Sequence, residues 1–244
     1  ITQFEIDRLI PIEILGYDVS FTTSAQAMAT TTILFCIYIY FATRERSLIP
    51  RRLQASAEVI YCFVADTVVK TAGPEARRAI PFVFTLFVYI LFGSLLGLTP
   101  IKFTFTSHVV VTLALSLLVF AYANVLAVRT HGFGCFRIFL PAGTPMYLAP
   151  LLVVIELISY LFRPITLGVR LFANILAGHI MIKLFADFCV MLSDALGVAG
   201  VALSMLVAAV MAVLYLFEVM IFIVQAYIFV VITSLYIRDA LSIH

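Results

Sequence analysis

Seven ionisable side chains, Glu156, Arg163, Arg170, His179, Lys183, Asp187 and Glu218, fall inside two stretches, 147–193 and 197–237, otherwise dominated by Leu, Ile, Val, Phe and Ala. An ionisable group in a hydrocarbon layer costs at least about 2.5–3.5 kcal/mol, so each one is a functional candidate unless a partner or snorkelling accounts for it. Histidine and carboxylates can lose and regain protons near neutral pH, as a relay requires. Arginine stays charged at any physiological pH and passes no proton, so it can act as a fixed electrostatic barrier.

At 100° per residue, with His179 as zero, Glu156, Arg163, Arg170 and Asn174 project at about 220, 200, 180 and 220°. His179, Lys183, Asp187 and Asp194 project at about 0, 40, 80 and 60°. The polar face therefore changes sides between Asn174 and His179, and the two stripes differ in depth as well. Such an offset is the shape of two half-channels that never meet, although Pro164 can rotate one stripe relative to the other. If the two stretches form an antiparallel hairpin turning near Gly197 to Gly200, Arg170 faces Gln225, His179 faces Glu218, and Glu156 approaches Arg238 and Asp239.

The elements that must position these groups follow from composition. Of 244 residues, 64% are hydrophobic and 11% charged, against about 25% charged in a soluble domain. Mean hydropathy is +1.17. A soluble globular domain is excluded, and the alternating ten-residue segments of a membrane β-barrel are missing, which leaves an all-α membrane protein. Five apolar helical segments are expected at 26–43, 80–98, 108–128, 147–193 and 197–237. As straight helices the last two would be about 70 and 60 Å long, twice a bilayer core, so they are strongly tilted or broken. Segment 51–72 mixes charge with apolar residues and reads as one interfacial amphipathic helix. The chain thus forms a single membrane domain, 1–244. Its parts are an N-terminal segment 1–25, a first span 26–43, the interfacial helix, a helical hairpin 80–128 and a long tilted hairpin 147–237.

Threading the spans gathers Arg44, Arg46, Arg51, Arg52, Arg77, Arg78, Arg129, Arg137 and Arg238 on one face, leaving Arg8 and Lys102 on the other. The positive-inside rule then puts the C-terminus on the cytoplasmic or matrix side and the N-terminus opposite. The net charge of +2 includes no lysine-rich tract, so nucleic acid is not an expected partner. Cys36, Cys62, Cys135 and Cys189 are scattered and read as buried thiols, without a zinc or disulfide pattern. No cofactor or metal is expected. Gly200, Ser204, Ala208 and Ala212 form a small-residue stripe, expected to be the hairpin's own contact surface. His108, His131 and His244 are assigned structural or solvated roles. Ile1 in place of Met suggests that a leading segment was removed. A secondary transporter would divide into similar halves, a cytochrome would need facing histidine pairs, and an intramembrane protease would need a nucleophile with its base. None of these patterns is present.

The run R-P-I-T-L-G-V-R-L-F-A-N-I-L-A-G-H at 163–179 resembles the signature of subunit a of the rotary F-type ATP synthase. Q-F-E-I at 3–6, P-A-G-T-P at 141–145, Q-A-Y-I-F at 225–229 and S-L-Y-I-R-D-A at 234–240 are similar to mitochondrial versions in the same order. This resemblance implies a proton-translocating stator against a rotating c-ring, with the peripheral stalk and other membrane-sector subunits as further partners. It implies that Arg170 is the essential arginine facing the ring carboxylate, with Asn174 and Gln225 as its polar neighbours. His179 and Glu218 would line the intake half-channel, in the order opposite to that of bacteria, and Glu156 would be the acid of the outlet. Lys183 matches no assigned role, and its charge would disfavour a protonated His179 nearby. The implied site is the mitochondrial inner membrane, with the N-terminus in the intermembrane space and the C-terminus in the matrix. No G-x-x-x-x-G-K-[ST] is present, so the chain is expected to be a non-catalytic proton-channel subunit, with ATP chemistry elsewhere.

Overall fold

The computed structural model describes residues 8–10, 13–14, 17–18, 20–44, 50–98, 107–132 and 149–241. The motifs at 3–6 and 141–145, together with Arg46, Lys102, Cys135, Arg137 and His244, lie outside the described residues. Two short antiparallel ribbons open the chain: β1 (Arg8–Ile10) pairs with β4 (Phe21–Thr22), and β2 (Glu13–Ile14) pairs with β3 (Tyr17–Asp18). They are a small addition to an otherwise helical protein, before the first span.

Helix α1 spans Thr23–Arg44, where the Thr22 hydroxyl accepts the Ala25 N–H at 3.4 Å. Thr30, Thr31, Thr32 and Thr43 each donate their hydroxyl to the carbonyl four residues back, satisfying polar atoms where no water competes. Helix α2 (Arg52–Ala72) ends at Gly73, whose φ of +87° turns the chain into a short 3₁₀ segment, Pro74–Ala79. Helix α3 (Ile80–Gly97) continues from it with Pro81 in the first turn, where no N–H is needed. Helix α4 covers Val109–His131, and α5 covers Ala149–Leu241.

A straight helix of that last length would reach about 140 Å. Instead α5 folds back on itself: the Cys189 thiol donates to the Ser204 carbonyl at 3.2 Å, and Arg163 meets Asp239 at 2.8 Å. The reversal lies between Cys189 and Ser204. The two limbs, Pro150–Ala195 and Ala202–Leu241, join α1, α4 and the unit Pro74–Gly97 as five elements long and apolar enough to cross a membrane. The expected all-α membrane fold is therefore present, and α2, too polar to be a sixth span, is a separate amphipathic helix. Its buried face, Val64, Val68 and Ala72, packs toward α3 and the second limb, with Phe63 between Phe87 and Tyr227.

Two expectations fail for one reason, that lipid is as apolar as the interior. Cys36 and Cys62 are exposed and Cys189 is half-buried, so a thiol on a spanning helix had no need to turn inward. In the small-residue stripe only Gly200 is buried and Ser204 half-buried, while Ala208 and Ala212 are exposed. The hairpin contact thus uses half of the stripe.

The α5 hairpin is the scaffold on which the other helices lie. Helix α4 runs antiparallel to the first limb, through Tyr160 with Phe120 and Asn124 and through Gly168 with Leu113 and Ser116. A Cβ at Gly168 would come within 2.8 Å of Ser116 Oγ and 3.1 Å of the Leu113 Cα. The backbone of α4 cannot yield locally, so Gly168→Ala is expected to force the helices apart at a cost of about 1–3 kcal/mol. A lower thermal unfolding midpoint of the purified protein would register that cost, and an unchanged midpoint would mean that α4 does not seat on Gly168.

Candidate functional site

The polar groups of α5 form three successive sets along the hairpin. At the basic end, Arg163 ties both limbs together: it donates to Asp239 at 2.8 Å, lies 3.5 Å from Glu156, and has the rings of Tyr160 and Tyr236 at 5.5 and 5.9 Å from its Cζ. The Tyr236 hydroxyl donates to the Arg163 carbonyl at 3.1 Å. This guanidinium acts as a clamp between the limbs. Glu156 reaches the Asp239 region as expected, but through Arg163 as the bridge.

One turn short of the middle set, Arg170 differs in every respect. Its side chain is exposed, and among the described residues no carboxylate pairs with it. The next turn carries Asn174, whose amide donates to Gln225 Oε1 at 2.7 Å. Gln225 thus hydrogen-bonds Asn174, one turn on from Arg170, and among the described residues no hydrogen bond joins it to Arg170 itself.

The deep set is His179 and Glu218, with Nδ1 and Oε1 3.7 Å apart and side chains 10% and 3% exposed. This pairing matches the expected register. Both oxygens of Glu218 and the Gln225 Nε2 are buried without a hydrogen-bond partner among the described residues. Buried polar atoms are ordinarily satisfied, and exceptions call for a reason such as a chemical role. A buried carboxyl facing an imidazole at this distance can exchange a proton after a small approach or through one water.

Helix geometry accounts for the apparent change of face. Leu167, Leu171 and Ile175 form the buried strip of the first limb. Asn174 and His179 sit on its two edges, about 140° apart, while Glu218 and Gln225 lie two turns apart on one line of the second limb. The two stripes are thus the two margins of a single interhelical seam. Arg170 projects farther round, onto the uncovered side.

Gly178 had not been singled out by type or spacing. A Cβ there would overlap Glu218 Oε1 and come within 3.0 and 3.1 Å of its Cδ and Cγ. On the same face as His179, half-buried Lys183 and exposed Asp187 line a cavity of about 500 Å³ with Leu176, Ile180 and Leu184.

Fold and site together define a multi-span helical membrane protein with a titratable pair at one depth of a long hairpin and, at another, a guanidinium that pairs with no carboxylate among the described residues. Residues 25–238 match the family described as ATP synthase A chain, and the chain belongs to that family. It is 48% identical over 241 residues to an ATP synthase subunit a from Chelativorans sp. (strain BNC1), covering 99% of this chain and 96% of that one.

Gly178→Ala would meet the mobile end of a side chain, whereas Gly168→Ala meets backbone. It is therefore expected to lower the thermal midpoint less than Gly168→Ala does, while displacing the Glu218 carboxylate from His179. Proton conduction through vesicles carrying the assembled complex should then fall. A normal conduction rate with normal assembly would separate the His179–Glu218 contact from any transport role.

Proposed function

We propose that this chain is the proton-translocating stator of an ATP synthase membrane sector, passing protons to and from the carboxylates of a rotating c-ring through two offset half-channels. The observation that carries the reading is Arg170: a permanent cation in a spanning limb, exposed, with no acid paired to it among the described residues. Such a charge is costly unless an anion from outside the chain meets it. A deprotonated ring carboxylate is the anion that fits, and arginine can attract it without relaying its proton.

In this reading His179 and Glu218 form the intake end and Glu156 the outlet. Along the first limb Glu156 and His179 are separated by about 35 Å of helix, with Arg170 about 14 Å from His179. No titratable side chain of the first limb fills the interval between Arg170 and His179, so a proton crosses it only on the ring. Asn174 and Gln225 keep the limbs in register beside the arginine. A proton moving through the full potential releases about 2.3 kcal/mol per 100 mV, and the offset converts that energy into rotation. The peripheral stalk and other membrane-sector subunits hold the stator against the torque. ATP chemistry occurs on other subunits, so the chain acts as a channel component and carries no catalytic site.

The cluster of Arg77, Arg78, Arg129 and Arg238 supports a cytoplasmic or matrix side for the C-terminal end of the hairpin. The order of His179 and Glu218 fits the mitochondrial inner membrane expected from the sequence. The relative described above is bacterial, so a bacterial energy-coupling membrane fits the reading as well.

Arg170→Ala tests the reading in vesicles that carry the assembled complex. ATP-driven proton pumping is expected to be lost while passive leak through the membrane sector rises. Unaltered pumping would make the polar seam purely structural.

A further inference from the structure

Beside the hairpin, the basic end of the molecule contains a second cavity that the proton path does not use. It has a volume of about 440 Å³ and lies between the 3₁₀ segment Pro74–Ala79, the last turns of α4 and Leu241 at the end of α5. Gly73 redirects the chain at its edge, and His131 Nε2 lies 3.0 Å from the Leu241 carbonyl, tying the end of α5 to the end of α4. One wall is apolar: Tyr122, stacked on Phe82 at 4.1 Å between centroids, and Leu126 one turn on. The rim carries Arg77 and Arg78, both exposed, neither with an ion pair among the described residues, and a single acid, Glu75.

We propose that this cavity binds the phosphate of an anionic membrane phospholipid. The rim has an excess of positive charge, as a phosphodiester requires, and arginine recognises phosphate by paired N–H donation. It sits where spanning α3 begins and spanning α4 ends, the level at which headgroups lie. The volume is in the range of small-ligand sites. A free phosphate would use the guanidiniums but leave the Tyr122 and Leu126 wall bare, whereas an acyl chain would cover it. The lipid would also fix the 3₁₀ segment against α4, and so brace the outlet end of the hairpin.

Photoactivatable phosphatidylglycerol and its phosphatidylcholine counterpart, each added to membranes containing the assembled complex, test this when labelled peptides are mapped. Phosphatidylglycerol should label 74–79 and 122–130 well above phosphatidylcholine, and excess inorganic phosphate should not remove the label. Arg77→Gln with Arg78→Gln should lower apparent affinity roughly thirtyfold, the effect of losing two interfacial arginines. Arg44→Gln with Arg52→Gln, which removes equal charge outside the cavity, should not. Equal labelling by the two lipids, displacement by inorganic phosphate, or an unaltered affinity in the Arg77/Arg78 variant would each overturn the proposal. The comparison of lipids on the unmodified protein decides the matter even if that variant fails to assemble.

Discussion

A guanidinium inside a hydrocarbon layer must find an anion or water, and within this chain two arginines one above the other solve that problem in opposite ways. Arg163 is held by Asp239, Glu156 and two tyrosine rings. Arg170, two turns farther into the first limb, has no such partners among the described residues and faces outward. The cost of that placement is the constraint from which the remaining architecture follows. A cation on a spanning helix, without an acid partner among the described residues, needs a rigid helix beneath it and a counter-charge supplied from outside.

The rigid support is the hairpin of α5. Arg163 closes its basic end, the Asn174–Gln225 hydrogen bond fixes its middle, and His179 with Glu218 occupies its deep part. Two glycines set how closely the pieces approach, and they do so differently. Gly168 admits the backbone of α4, so it serves packing. Gly178 has the Glu218 side chain nearest to it, so it serves the position of a titratable group. A relay needs its groups held near one another but not locked into a satisfied ion pair, and a separation of 3.7 Å with unpartnered carboxyl oxygens meets that description.

Much of this was legible in the sequence because membrane solvation is such a coarse filter. Long apolar runs set the number of spans, and the mixture of charged and apolar residues over 51–72 set α2 apart from them. The pairing of His179 with Glu218 followed from an antiparallel hairpin turning near Gly197 to Gly200. The partner of Gln225 did not, because Asn174 and Arg170 lie one turn apart on the same side of the first limb, both nearly opposite position 225, and it is Asn174 that donates to the amide oxygen. Exposure of Cys36, Cys62, Ala208 and Ala212 was misjudged because the habit of turning small or apolar groups inward belongs to water-soluble proteins. The role of Gly178 depends on a contact with a residue forty positions away, which no local pattern encodes.

The central claim is that Glu218 and Glu156 open to opposite sides of the membrane with Arg170 between them. Single cysteines at these two positions, Glu218→Cys and Glu156→Cys, can be introduced after Cys36, Cys62, Cys135 and Cys189 are replaced by serine. Each is then challenged with a membrane-impermeant thiol reagent from one side at a time, in sealed vesicles of known orientation. The account predicts that position 218 reacts from the side away from the arginine cluster and position 156 from the side that bears it. Reaction of both positions from the same side would contradict it.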